Sequence, residues 1–143
     1  MSVRVVAEAT VNPTEDESKV RRVLLNIFPE AKLESIRKPE GVGVLRLHGE
    51  GLDFLSTLRS LIRQERIRLA ARKIILGRTR GQRIMIYLHK QAAFVGRVSF
   101  CEPTGESPHG PVSIMIDAAN PETVIDYLAS RPGQPGFQRF RDK

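Results

Sequence analysis

Eleven of the 23 lysines and arginines lie between Arg59 and Arg97, where the only acid is Glu65. That stretch carries a formal charge of +10, while the rest of the chain, twelve bases against fifteen acids, carries −3. Clustered cations bind phosphate by charge, and arginine adds a planar fork of donors, so a polyanion such as nucleic acid is the first partner to consider. If residues 52–64 are helical and continue for a turn, Arg59, Arg63 and Arg66 fall at i, i+4 and i+7 on one stripe, and Arg68 and Arg72 repeat the spacing on the next helix. Like charges at that spacing cost a helix roughly a few tenths of a kcal/mol per pair, a cost that a phosphate-rich partner relieves. Arg78 and Arg80 follow in a glycine-flanked loop. A solvated cationic face, or arginines paired with acids brought in by the fold or a second subunit, accounts for the same residues without a ligand.

Other chemistry is sparsely provided. His48, His89 and His109 are scattered, and none stands in a His-Glu-x-x-His or Cys-x-x-Cys setting, so no metal site is expected. Cys101 is alone, which excludes an intrachain disulfide and suits a reducing, cytoplasmic setting; after Phe100 at a strand end it reads as packing. Gly41-Val42-Gly43-Val44 lacks the third glycine of a dinucleotide loop, and Gly77-Arg78-Thr79-Arg80-Gly81-Gln82-Arg83 lacks the Gly-Lys-Ser/Thr of a P-loop, so no cofactor is expected. No catalytic residue is assigned. The enzymatic alternative is a small anionic substrate clamped by Lys90 or an arginine, with His89 or His109 as acid or base.

The elements that must position these residues follow from periodicity. Val3, Val5, Ala7, Ala9 and Val11 alternate as a half-buried strand. Thr14 and Glu17 have capping-box spacing for a helix starting near Glu15, with Val20, Val23, Leu24 and Ile27 on its apolar face. Strands are expected at about 33–37 and 42–48 across the turn Pro39-Glu40-Gly41. Leu55, Leu58 and Ile62 mark a second helix; Ile67, Ala70, Ala71 and Ile74 mark a third ending at Gly77, and the pattern at Glu65-Arg66 fits either a bend or a continuous helix. Period two returns at Ile84, Ile86 and Leu88, at Val98 and Phe100, and at Val112, Ile114, Ile116 and Ala118. A last helix carries Val124, Ile125, Leu128 and Ala129 behind Asn120 as N-cap and Pro121 at its first position. One-sided alternation implies an α+β fold of two layers, a mostly antiparallel sheet covered by helices on one face. Residues 1–130 are expected to form this single domain, with 131–143 a flexible basic tail. No apolar run approaches the roughly 18 residues of a membrane span.

The uncovered face of such a sheet would show Arg46, His48, Arg83, Met85, Tyr87, His89, Arg97 and Met115. With one aromatic among them, base stacking on this face is weakly supported, and apolar Val6, Met85 and Met115 favour subunit packing.

Five segments are more specific: Val11-Asn12-Pro13-Thr14-Glu15-Asp16, Lys19-Val20, Leu25-Asn26-Ile27-Phe28-Pro29, Ala70-Ala71-Arg72, and above all His89-Lys90-Gln91-Ala92-Ala93-Phe94-Val95-Gly96. From the first strand to about Tyr127 the chain resembles the archaeal UPF0201 family, with His89 where the family usually carries Asn. The resemblance implies a fold like that of ribosomal protein L-five, the carrier of 5S ribosomal RNA, a homodimer, and RNA binding. Physically, Ala92 and Ala93 permit close backbone approach between two strands, and Lys90 and Gln91 then protrude, one as a point charge for phosphate and one as an amide for a base edge or a 2′-hydroxyl. Alternatively, Gln91 caps open backbone groups and Lys90 pairs with a carboxylate.

The expectation is therefore a non-enzymatic, homodimeric RNA-binding protein, the RNA ribosomal or otherwise, whose phosphate and sugar contacts come from Arg59, Arg63, Arg66, Arg72, Arg78, Arg80, Lys90 and Gln91. An enzyme on a small anion, or an assembly protein whose sheet face docks partners, are the alternatives.

Overall fold

A computed structural model describes residues 2–39, 41–103 and 110–130; His109 and the expected tail at 131–143 lie outside the described residues. Among these, six strands form one antiparallel sheet in the order β2-β3-β1-β6-β5-β4, with five α-helices. The strands are β1 (Val3–Val11), β2 (Leu33–Arg37), β3 (Gly43–Glu50), β4 (Thr79–Arg80), β5 (Arg83–Leu88) and β6 (Val112–Ala118). The helices are α1 (Glu17–Ile27), α2 (Ser56–Gln64, entered through a 3-10 turn at Leu52–Leu55), α3 (Arg68–Gly77), α4 (Lys90–Phe94) and α5 (Pro121–Leu128). β1 pairs with both β3 and β6, so the N-terminal strand sits in mid-sheet and its alternating residues Val3, Val5, Ala7 and Ala9 are buried. They meet Leu45 and Leu47 of β3, Ile84, Ile86 and Leu88 of β5, and Ile114 and Ile116 of β6 in one core closed by Val20, Leu24, Leu58, Ile62, Ile75, Val124 and Leu128 from the helices. The two-layer α+β architecture follows directly from this alternation.

Several local expectations are corrected. Thr14 is not the cap of α1: Asp16 is, accepting at 2.9 Å from the Ser18 amide, and α1 begins at Glu17. The chain first closes a turn in which the Glu15 amide donates to the Asn12 carbonyl at 2.8 Å, and that turn displaces the helix start by two residues. The glycine-flanked run at 77–81 is a tight hairpin, with β4 paired to β5 and Gly81 supplying the positive φ of its turn. Val98 and Phe100 do not form a strand; a single bridge joins Phe100 to Leu88. Lys90 to Phe94 is a short helix, not a strand connection.

At Glu65-Arg66 the structure takes the bend, one of the two open readings: α2 and α3 are separate, and the chain turns between them at Arg66, a non-glycine residue at φ 59°. The expected arginine stripe is therefore broken after Arg63. α3 is also rotated from the expected face, for it buries Ala71, Arg72 and Ile75, while Ala70 and Ile74 face solvent. The cause is Arg72, whose Nη1 donates to Asp126 Oδ1 at 2.8 Å and to the Ala129 carbonyl at 3.0 Å, tying α3 to the end of α5. A buried guanidinium requires such acceptors, so their position overrides the apolar period. Leu69, Ile74 and Leu76 are left exposed at 59%, 40% and 46%. Replacing Arg72→Ala should cost about 2 kcal/mol, because the Ala129 carbonyl loses its donor and the space is left empty; urea unfolding of wild type and variant measures this.

Candidate nucleic-acid interface

The fold divides the central cations into two groups. Among the described residues at least five meet a carboxylate: Arg72 with Asp126, Arg78 Nη2 with Glu102 Oε1 at 2.6 Å, Arg83 Nε with Asp117 Oδ1 at 2.8 Å, Lys90 Nζ with Glu15 at 3.1 Å, and Arg97 Nη2 with Glu65 Oε1 at 2.9 Å. The Arg97 guanidinium holds the Glu65 carboxyl below the usual carboxylate range, and Glu65 in turn raises Arg97. Arg78 also lies over Tyr87, 5.3 Å from the ring centroid. Arg59 is half-buried, donating from Nε to the Tyr127 carbonyl at 2.9 Å and stacked on the Tyr127 ring at 4.9 Å. Arg63 and Arg68 are half-buried at the facing ends of α2 and α3.

The second group stays in solvent. Arg66 and Lys73 are exposed and meet no carboxylate among the described residues; Arg80 is exposed and donates only to the Gly77 and Thr79 carbonyls, at 3.0 and 2.9 Å. These three stand at the start, on the face and just past the end of α3. Arg80 sits where the terminal carbonyls of that helix are open, which anchors it without neutralising it.

Lys90 corrects the reading that made it a protruding phosphate contact. Its side chain is 6% exposed, and Nζ donates to the Thr10 carbonyl at 2.9 Å and to both Glu15 oxygens at 3.1 Å. Glu15 also accepts from the Asn12 amide and the Asn12 side chain, each at 2.9 Å. Burial raises the Glu15 carboxyl, but the Asn12 amide and Lys90 outweigh it, so its pKa falls below the ordinary 4.5; burial lowers Lys90, and Glu15 only partly offsets that. At the other end of α4, Asn26 Nδ2 donates to the carbonyls of Ala93 and Phe94 at 2.8 and 3.0 Å. Asn12, Glu15, Asn26, Lys90 and Ala93, which stand far apart in sequence, thus form one clasp between β1, α1 and α4. Neither Asn26 nor Glu15 was given a role from sequence, although both stand in the specific segments quoted above; the local signal for Asn26 is a polar residue one turn after buried Val23 and next to buried Ile27.

Gln91 is exposed beside the clasp, as expected, and does not cap a strand. It stands at the rim of a groove of about 520 Å³ between α1 and α4, walled by Val20, Val23, Phe94 and Val95. His89 is half-buried at the start of α4, while Cys101 is buried. Among the described residues no cluster of three or more His, Cys, Asp or Glu has the arrangement of a metal site.

The open sheet face presents three cross-strand rows. In the first, Glu50, Arg4, Asp117 and Arg83 alternate in sign across four strands. The next places His48 beside Val6, Met115 and Met85, all three half-buried. The third runs Glu34, Arg46, Glu8, Ser113 and Tyr87, with Arg46 Nε donating to Glu8 Oε2 at 2.8 Å. Arg46, His48, Arg83, Met85, Tyr87 and Met115 thus lie on this face as expected. Arg97 does not, being drawn to Glu65 beyond the sheet, and His89 precedes α4. Among the described residues no helix is long and apolar enough to cross a membrane.

Residues 4–118 match a family model described as RNA binding. The sequence is 42% identical over 142 residues to a UPF0201 protein of Aeropyrum pernix, covering 96% of this chain and 93% of that protein. It is 36% identical over 129 residues to a UPF0201 protein of Metallosphaera sedula, covering 90% and 88%. The crystal structure of a UPF0201 protein from Methanococcus jannaschii superposes with a TM-score of 0.79 at 33% identity, covering 93% of this chain and 96% of that one.

Removing one member of a buried ion pair costs about 3 kcal/mol, since its partner is left charged and unmatched. Glu15→Gln should therefore destabilise by about that much at neutral pH. Because the folded pKa of Glu15 lies below its unfolded value, its contribution is fully present above pH 4.5 and is lost as pH falls through the folded value. The gap between wild type and Glu15→Gln should accordingly close on acidification; urea midpoints across an acid series measure it.

Proposed function

The chain belongs to the UPF0201 family, and from that premise we propose that it is a non-enzymatic RNA-binding protein that grips the phosphate and sugar backbone through the cations left in solvent around α3 and on β4. The observation that carries this reading is Arg66. A left-handed backbone at a residue other than glycine costs roughly 1–2 kcal/mol, and this arginine gains no carboxylate among the described residues to offset it. An accessible cation without a counter-charge suits a phosphate contact, and the backbone strain that holds Arg66 there supports this use. Arg80 and Lys73 extend the positive strip along α3, and Arg63 and Arg59 flank it on α2. Arg72 and Lys90 leave the set of proposed contacts because they are buried, and Arg78 is secondary because Glu102 already meets it.

The antiparallel sheet with helices on one side is consistent with a fold like ribosomal protein L-five, which makes a structured RNA, ribosomal RNA included, the first partner class to test. The open sheet face supports a homodimer: its apolar row of Val6, Met115 and Met85 lies between two rows of alternating charge, which a second copy related by a two-fold axis can match. The small-anion enzyme is less well supported, since Lys90, its proposed clamp, already serves Glu15 and Thr10.

Binding of a fluorescent RNA hairpin tests the reading. With about four phosphates neutralised, log affinity should fall against log salt with a slope of about −3 to −4, and Arg66→Glu or Arg80→Glu should each lose about tenfold in affinity and flatten the slope by about one. Arg83→Gln, on the sheet face, should change affinity by less than about twofold. A slope near zero overturns the proposal. Arg66→Gly should move the two properties in opposite directions, raising stability by about 1 kcal/mol while weakening RNA binding.

A further inference from the structure

The α1–α4 groove is lined by none of the cations left in solvent around α3, and its chemistry is different. Its open surface is mostly apolar, from Val20, Val23, Phe94 and Val95, while Thr14, Glu15, Asp16, Lys19 and Lys90 also line it, Glu15 and Lys90 being paired with each other; Val95 stands 65% exposed. Arg22 lies over Phe94, a lining residue of the groove, its guanidinium carbon 4.8 Å from the ring centroid, so a cation and an aromatic ring already meet beside the groove. The exposed Gln91 amide offers one donor group and one acceptor at the rim. Lys19 and Arg22, three residues apart on the exposed side of α1, are in no salt bridge among the described residues. Asp16, the acid beside Lys19, is engaged by the Ser18 hydroxyl and amide at 2.8 and 2.9 Å.

Apolar walls ask for an uncharged group, the Arg22–Phe94 pair for a flat one, Gln91 for one with polar edges, and Lys19 and Arg22 for anions on either side of it. A nucleobase between two phosphodiesters meets all four conditions, whereas an aliphatic protein side chain uses only the first. We propose that the groove between α1 and α4 takes one unpaired base of single-stranded RNA, stacked against Phe94 and Arg22 and read at its edge by Gln91. The space of about 520 Å³ is of the size that encloses a small ligand. The site rests on the RNA reading above and adds to it: the α3 strip holds backbone of any geometry, and the groove selects RNA with a loop or free end.

The test compares a labelled single-stranded RNA of mixed sequence with a fully paired duplex of equal length, by fluorescence anisotropy. Wild type should bind the single strand more tightly. Val95→Asn and Gln91→Ala change exposed residues without altering charge, and each should weaken the single strand by about fivefold to tenfold while moving the duplex by less than about twofold. Phe94→Leu keeps an apolar wall and removes the ring, and should erase the preference for single strands. In wild type, photo-crosslinking of RNA containing 4-thiouridine should yield an adduct on the segment that includes Phe94. If these variants leave single-strand binding unchanged, or if adducts fall only on residues 59–80, the base site is wrong, although Arg66→Glu still weakens both RNAs and the RNA reading stands. If wild type binds neither RNA at moderate salt, both readings fall together.

Discussion

A single buried ammonium governs how the α1–α4 side of this molecule is built. Lys90 cannot be taken from water without acceptors, and the structure supplies a backbone carbonyl from the end of β1 and a carboxylate from the turn before α1. Satisfying that charge forces three segments together, and Asn26 completes the junction from α1 by holding the last carbonyls of α4. A five-residue helix has little stability of its own, so α4 exists because both its ends are pinned. The spacing between α1 and α4, and hence the groove that Phe94 and Val95 wall, is set by these contacts.

The layer architecture was legible because it depends on period-two alternation, which β1, β5 and β6 carry with little interruption. Helix core positions were legible where apolar residues alone decide the buried face, as in α1 and α5. They failed in α3, where an arginine needed acceptors on a neighbouring helix that no local pattern reveals. The clasp was hidden for a similar reason: Glu15 and Lys90 are 75 residues apart, and each alone reads as a solvated charge. Their segments were nevertheless among those carrying the family resemblance, as was Asn26. Within those strings Glu15, Asn26 and Lys90 are accounted for by the interior contacts their side chains make, and Lys90 in particular is not a surface ligand group. Arg66 could not have been anticipated, because nothing in its side chain favours a left-handed backbone.

Reading net charge from sequence overstated the positive surface. All the chain's acids but Glu65 lie outside the basic stretch, yet folding brings Asp126, Glu102, Asp117 and Glu15 onto it, and with Glu65 on Arg97 at least five of the eleven central cations are matched among the described residues. What remains is smaller and better located: a strip along α3 with exposed leucines interspersed. Leu69 and Leu76 beside Lys73 place apolar contact area next to charge, a combination suited to the sugar and base edges of RNA as well as its phosphates.

The alternating rows on the sheet have a counterpart in how the molecule meets a charged body at a distance. Glu50, Arg4, Asp117 and Arg83 cancel within a few ångströms, so their field dies away almost at the surface, while the unmatched cations along α3 project theirs to about the Debye length of 8–10 Å. Among the described residues the field is therefore directional, weak over these sheet rows and positive along α3. An approaching polyanion is turned toward the helices before any contact forms, while the balanced rows of the sheet exert little pull on it.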